Sequence, residues 1–146
     1  MSNPSKKKGT AAEVLVRDAA RLRGLPAERI PQEGRNDRGD VHLAHGRVVV
    51  EVKAGDQAHD ASMNLIISDW YSEATTEASR VAACDMAVLV VKRKGKARAG
   101  DWRAFVSLAD YAHVMGRGEP YPLWAADHRV VEMPLACLLD DLAAVL

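Results

Sequence analysis

The chain has 146 residues, equal numbers of acidic and basic side chains and 48% hydrophobic residues, as expected for one globular domain with a substantial core. Its two cysteines lack metal-ligand or redox spacing, which excludes a zinc finger or a disulfide scaffold, and its apolar runs are too short to span a bilayer. We therefore expect a cytoplasmic protein with no membrane association.

The first third of the chain predicts a flexible segment, a helix and an irregular connector. Residues 1–9 read as a flexible basic arm, because they carry three lysines and almost no apolar side chains. Thr10-Ala11-Ala12-Glu13 matches a capping box and predicts the start of a helix that Gly24 ends. Residues 25–38 are rich in Pro, Gly and charge, and Ile30 is the one candidate anchor for a short strand there.

Residues 40–53 predict a β-hairpin with His45-Gly46 as a two-residue turn, since Gly46 supplies the positive φ that such a turn needs. Counting outward from the turn pairs Asp40 with Glu51. Side chains alternate between the two faces of a strand. One face is therefore apolar, with Val41, Leu43, Val48, Val50 and Val52, and the other carries Asp40, His42, Val49, Glu51 and Lys53.

The remainder of the chain predicts helices and strands in alternation. The expected elements are a polar loop over 55–60, a helix from Ala61 to Cys84, a strand over Met86–Val91, a basic loop over 92–100, a strand over Trp102–Leu108, a short helix over Ala109–Met115 and an amphipathic helix over Pro134–Leu146. This order indicates an α/β protein with a central mixed β-sheet flanked by helices.

The hairpin also indicates a metal site. Directly opposed side chains on paired strands lie about 5 Å apart, and like charges at that distance repel. Asp40 and Glu51 therefore need a counter-charge. A divalent cation with oxygen ligands supplies it, and Mg²⁺ or Mn²⁺ is the expected ion.

An Asp followed about ten residues later by Glu-x-Lys resembles the motif of the PD-(D/E)xK nuclease superfamily, here Gly39-Asp40 and Glu51-Val52-Lys53. In addition, Lys8-Gly9-Thr10-Ala11-Ala12-Glu13 resembles the opening of archaeal and phage Holliday-junction resolvases. The resemblance covers roughly residues 6–110. The chain departs from the motif's name in having Gly39 where the name gives proline.

This resemblance implies a restriction-endonuclease-like fold with an α-β-β-β-α-β core, and a single nuclease domain over residues 10–146. It implies that Asp40, Glu51, the Val52 carbonyl and Glu13 bind Mg²⁺, and that Lys53 orients or activates water or stabilises phosphate charge. It further implies a Mg²⁺-dependent endonuclease that cuts branched double-stranded DNA in recombination or repair as a homodimer. A phage-encoded member would act in the host cytoplasm.

Three basic segments are candidate DNA contacts, because lysine and arginine side chains bind phosphates without reading bases. Residues 84–103 hold six basic and two acidic side chains. The candidates are Lys6, Lys7 and Lys8 on the arm, Arg35 and Arg38 before the hairpin, and Lys92, Arg93, Lys94, Lys96 and Arg98 in the basic loop. Trp70 and Trp102 are expected to be core residues rather than base-stacking platforms.

Other interpretations of these residues remain open. Glu13 can be the partner of Thr10 in the capping box, Asp40 can be a turn residue, and Asp37 competes with Asp40 for the metal. A nuclease for flaps, forks or restriction targets would carry the same motif. A catalytically silent nucleic-acid-binding module could also keep the fold.

Overall fold

The structure is a computed structural model that describes the backbone of residues 4–116 and 129–146 and the side chains of residues 9–116 and 129–146. Its helices are α1 (Pro4–Arg21), α2 (Asp56–His59), a π-helical segment (Leu65–Trp70) that continues as α3 (Tyr71–Ala78), α4 (Leu108–Val114) and α5 (Leu135–Val145). Its strands are β1 (Ala27–Arg29), β2 (Val41–Leu43), β3 (Val48–Lys53), β4 (Met86–Val91), β5 (Arg103–Ser107) and β6 (Val130–Pro134).

The strands form one six-stranded sheet in which their spatial order follows their order in the chain. β3 and β4 run parallel, and the other neighbouring pairs of described strands are antiparallel. The predicted α/β class with a central mixed sheet is therefore confirmed. From α1 to β4 the main elements follow the order helix, three strands, helix, strand.

Helices cover both faces of the sheet because the central strands are apolar on both sides. On one face Val16 of α1 and Leu138 of α5 pack with Val88 of β4. On the other face Ile66 and Tyr71 pack with Leu89, the next residue of β4. Among the described residues, none of the helices is both long enough and apolar enough to cross a membrane.

The predicted hairpin register is confirmed. Val41 pairs with Val50 and Leu43 pairs with Val48, and the five predicted apolar side chains of the hairpin lie in one core cluster. The turn is longer than the predicted two residues: it takes residues 44–47, and Ala44, His45 and Gly46 have positive φ values of 49°, 59° and 88°. Arg47 N donates to Ala44 O at 3.3 Å across this turn. Positive φ at its central residues, His45 and Gly46, is the signature of the turn that hairpin twist favours.

The first helix begins at Pro4, not at Thr10 as predicted. Proline is favoured at the first position of a helix because its fixed φ is already helical and its missing N–H needs no partner there. The backbone of Lys6, Lys7 and Lys8 is therefore helical rather than a flexible arm, and the side chains of these lysines lie outside the described residues. The capping-box interpretation of Thr10 is wrong, because Thr10 lies inside the helix.

Four further elements differ from the prediction. The predicted polar loop over 55–60 contains the short helix α2. The predicted helix from Ala61 to Cys84 is π-helical over Leu65–Trp70 and ends at Ala78, and turns follow it. The connector over 25–38 contains β1, which pairs with β2 at the sheet edge. A sixth strand, β6, pairs with β5 directly before α5. Both extra strands are short edge strands, where pairing with a neighbour matters more than an alternating pattern.

Candidate metal centre

The hairpin buries two facing carboxyl groups at one end of the sheet. Asp40 and Glu51 are 6% and 7% exposed. Asp40 N donates to Val50 O at 2.9 Å, and Asp40 Oδ2 accepts a hydrogen bond from Val52 N at 2.8 Å. Glu51 lies beside Leu89 of the parallel strand β4 and so points to the face that α3 covers. The predicted juxtaposition of Asp40 and Glu51 is thus present.

Glu13 reaches the same site from α1. Arg29 at the end of β1 donates to Glu13 Oε2 from Nε at 3.1 Å and from Nη2 at 3.0 Å. Burial raises the pKa of Glu13, and the charge of Asp40 raises it further, while Arg29 opposes both effects. The structure therefore places Glu13 beside Asp40 and gives it a basic partner that the sequence patterns did not identify.

These residues line one cleft of about 510 Å³. The lining residues come from α1, from β1 and the segment after it, and from the hairpin. They are Gly9, Thr10, Glu13, Arg29, Ile30, Pro31, Gln32, Asp40, Glu51, Val52 and Lys53. All the predicted catalytic and metal-binding residues are therefore brought together. Asp37, the predicted competitor of Asp40, instead accepts a hydrogen bond from the Glu33 backbone N at 2.5 Å.

Lys53 lines the cleft and lies between acidic groups. Its Nζ is 3.3 Å from Glu51 Oε1 and 3.0 Å from Glu73 Oε2, and 5.9 Å from the centroid of the Trp70 ring. Burial lowers the pKa of Lys53, but the charges of Glu51 and Glu73 outweigh burial, so that its pKa lies above the usual value. Lys53 is therefore an ammonium at neutral pH.

Glu77 is a buried acidic residue that the sequence patterns did not single out. It lies on α3, is 7% exposed, and its Oε2 has no hydrogen-bond partner in the described part of the chain. The signal for it is helical spacing: Glu77 follows Ala74 by three residues and precedes the buried Ala78. A glutamate on the apolar side of a helix is unusual, because burial of an unpaired carboxylate is costly.

The electrostatics of the buried carboxyl groups favour a cation. Burial raises the pKa of Asp40, and hydrogen bonds from the Val52 amide and from Glu51 offset this only in part. Burial also raises the pKa of Glu51, and the neighbouring carboxyl groups of Glu77 and Asp40 raise it further. When these carboxyl groups are ionised, their negative charge exceeds the single positive charge of the Lys53 ammonium. The donor set of oxygens and the unpartnered Glu77 Oε2 therefore fit a hard divalent cation.

Gly39 explains the departure from the proline of the motif's name. Its φ is +86°, which proline cannot adopt because its ring holds φ near −65°. A Cβ at this position would lie 2.5 Å from Val49 Cγ1 and 3.3 Å from Val50 O. Glycine is therefore required to bring Asp40 against β3.

We expect Gly39→Ala to lower the free energy of unfolding by about 2–4 kcal/mol, because it adds the strain of positive φ to overlap with Val49. Gly24→Ala is the matched control, since Gly24 has a φ of +81° and no atom of the described residues lies within 4 Å of its added Cβ. We expect about 1–2 kcal/mol there. Urea denaturation measures both losses. Equal losses would show that contact with Val49 contributes nothing.

The predicted DNA-contacting residues lie in different surroundings. Lys92 follows β4, and its backbone N donates to Lys53 O at 2.9 Å, so the basic loop begins beside Lys53. Lys92 Nζ lies 5.6 Å from the Trp102 ring centroid, and Trp102 Nε1 donates to Lys96 O at 2.7 Å. The side chains of Arg93, Lys94, Lys96 and Arg98 are exposed.

Arg35 and Arg38 do not line the cleft. Arg35 is exposed in a short 3-10 helix (Gly34–Asn36). Arg38 Nη2 pairs with Glu33 Oε1 at 3.0 Å, and the Arg38 carbonyl contacts His42 Nε2 at 2.7 Å. Trp102 is fully buried in the core as expected, whereas Trp70 is half-buried.

The cleft combines buried carboxyl oxygens, an adjacent ammonium and a neighbouring exposed basic loop. Such an arrangement can bind a divalent cation and stabilise a phosphate beside it. No protein-family model, no curated protein and no solved structure matches the chain.

Proposed function

We propose that this chain is a divalent-metal-dependent DNA endonuclease of the PD-(D/E)xK type, with a restriction-endonuclease-like fold. One observation carries the proposal. Glu13, Asp40, Glu51, Val52 and Lys53 line a single cleft, although they come from a helix and two strands. Burial of Asp40 and Glu51 beside each other is unfavourable without a cation, which gives the site a physical reason to bind one.

Each residue has a distinct role in this proposal. Asp40, Glu51, Glu13 and the Val52 carbonyl would hold Mg²⁺ or Mn²⁺. The ion, when bound, lowers the pKa of water and polarises a phosphate oxygen. The hydrogen bond from Val52 N fixes the orientation of Asp40, and Arg29 does the same for Glu13.

Lys53 stabilises the negative charge of the scissile phosphate. Its raised pKa means that it holds its proton at neutral pH. A protonated lysine donates hydrogen bonds and cannot abstract a proton from water. Of the roles expected for this residue, charge stabilisation is therefore the one that fits its surroundings.

The DNA backbone would lie over the end of the sheet at which β3 and β4 terminate. Parallel strands end at the same edge, so Lys53 and the basic loop after Lys92 are adjacent. The exposed side chains of Arg93, Lys94, Lys96 and Arg98 provide a phosphate track there. Such contacts position a duplex without reading its sequence.

We propose a Holliday junction as the substrate and a two-fold homodimer as the active form. Both rest on the resemblance of the first helix and the motif to resolvases, since the cleft describes the cleavage reaction rather than the shape of the DNA. Symmetric cuts in two strands require two active sites related by a two-fold axis.

A panel of labelled four-way junction, flap, fork and linear duplex tests the proposal. With Mg²⁺ we expect paired nicks in the junction, no cleavage in EDTA, and unchanged cleavage by Asp140→Asn, since exposed Asp140 pairs with Arg23 away from the cleft. Preferential cleavage of flaps or forks would retain the nuclease and reject the resolvase. DNA binding without cleavage of any substrate would indicate a silent binding module.

A further inference from the structure

Helix α3 presents two glutamates to the site that the motif does not include. Glu73 and Glu77 are one helical turn apart and therefore lie on the same side of α3. One carboxylate oxygen from each of Glu51, Glu73 and Glu77 lies within 4.8 Å of the others. Glu51 thus belongs to two groups of oxygens, one with Asp40 and one with α3.

Glu77 gives this cluster an independent sign of a missing ligand. It is 7% exposed and its Oε2 accepts no hydrogen bond from the described residues. Buried polar atoms are almost always satisfied, and an exception calls for a specific cause such as an absent ion. The adjacent carboxyl group of Glu51 deepens the imbalance, because two carboxylates within hydrogen-bond reach repel unless they share a proton or a cation.

Lys53 compensates this cluster only in part. Its ammonium contacts Glu51 Oε1 at 3.3 Å and Glu73 Oε2 at 3.0 Å. The ammonium of Lys53 therefore lies between the oxygens of Glu51 and Glu73, and the space between these two oxygens is suited to a positive charge. The ammonium leaves Glu77 Oε2 without a donor.

We propose that Glu51, Glu73 and Glu77 bind a second divalent cation, which shares Glu51 with the ion held by Asp40 and the Val52 carbonyl. Oxygens on opposite sides of Mg²⁺ or Ca²⁺ are separated by about 4–5 Å, twice the usual metal–oxygen distance. The 4.8 Å limit within this cluster matches that span. The inference rests on the proposed function, because the first ion is part of it.

The charge balance of the site favours two ions over one. Glu13 is neutralised by Arg29. Asp40, Glu51, Glu73 and Glu77 with Lys53 then sum to a formal charge of about −3 when ionised. One divalent cation leaves an excess of negative charge that would repel a phosphodiester, whereas two bring the site with a bound phosphate to neutrality. The second cation also competes with Lys53 for Glu73, which frees the ammonium to approach the phosphate.

Mn²⁺ binding to the full chain tests this proposal without a need for catalysis. We expect equilibrium dialysis to give two Mn²⁺ per chain. The electron paramagnetic resonance signal of bound Mn²⁺ should be weaker than that of two isolated ions, because ions that share Glu51 are spin-coupled. Glu77→Gln and Glu73→Gln should each retain one ion with an uncoupled signal. Glu73 is partly exposed, so its variant stays folded even if Glu77→Gln does not.

Asp69→Asn is the matched control, since Asp69 is an exposed acid in the π-helical segment that continues as α3; this variant should bind two ions. One ion in the wild type that both α3 variants retain and Asp40→Asn loses would overturn the second site and leave the nuclease proposal intact. Loss of both ions in Asp40→Asn, with both ions retained in the two α3 variants, would also overturn the second site. An ion that survives in Asp40→Asn and is lost in both α3 variants would support the α3 site and count against the motif site.

Discussion

Asp40→Asn and Glu51→Gln are each expected to reduce Mg²⁺-dependent cleavage by about 10³-fold or more, because loss of a metal-binding carboxylate removes several kcal/mol of transition-state stabilisation. DNA binding should persist, since the exposed basic loop is unchanged. Single-turnover cleavage of the preferred substrate, with binding measured by fluorescence anisotropy in Ca²⁺, separates the two effects.

Both variants should fold at least as well as the wild type in EDTA. The amide oxygen of asparagine can still accept the hydrogen bond that Val52 N donates to Asp40, and each change removes an acidic group whose ionisation burial disfavours. Asp140→Asn is the matched surface control. Full cleavage by either active-site variant would contradict the assignment of these carboxylates as metal ligands.

The metal-free protein is expected to lose stability as pH rises from 5.5 to 7.5. Burial raises the pKa of Glu51 above its unfolded value, so the folded state binds more protons than the unfolded state in this window. Stability then falls with pH by up to about 1.4 kcal/mol per unit for each such proton. Thermal unfolding in EDTA should therefore show a decrease on the order of 10 °C across the two units.

Saturating Mg²⁺ should remove or reverse this slope, because the cation binds the ionised carboxylates and competes with protons. Glu51→Gln is the comparison, since it removes the Glu51 carboxyl group and leaves the rest of the chain unchanged. Its metal-free slope should be flatter than that of the wild type. A metal-free wild type that gains stability over this window would show that the carboxyl groups are ionised without a cation.

The hairpin could be predicted from sequence because its information is local. Gly46 fixes the turn, the turn fixes the register, and the alternation of valines fixes the faces. Asp40 and Glu51 are therefore placed beside each other by counting alone. The strand Met86–Val91 was also correct to the residue, since a short continuous apolar run has few alternatives.

The parts that sequence reasoning missed depend on contacts between distant segments. Arg29 reaches Glu13 only because β1 pairs with β2 and so lies beneath α1. Glu77 joins the site only because α3 crosses β3. Its position in the helical pattern predicts that its side chain is buried, but does not predict which residues surround it. The start of α1 was predicted too late because Thr10 and Glu13 match a capping pattern by spacing, whereas Pro4 supplies an earlier start.

The hydrogen bonding of β3 has a consequence for how selectivity can arise. β3 is paired along both sides, with β2 and β4, and such interior strands open only with global unfolding. Glu51 and Val52 thus lie on an interior strand, which belongs to the least mobile part of the sheet. In the proposed nuclease, the positions of these two metal-binding residues would therefore be the same for every shape of DNA. We then expect the proposed nuclease to discriminate among substrates at the periphery, in the loop after Lys92 and in contacts outside the sheet.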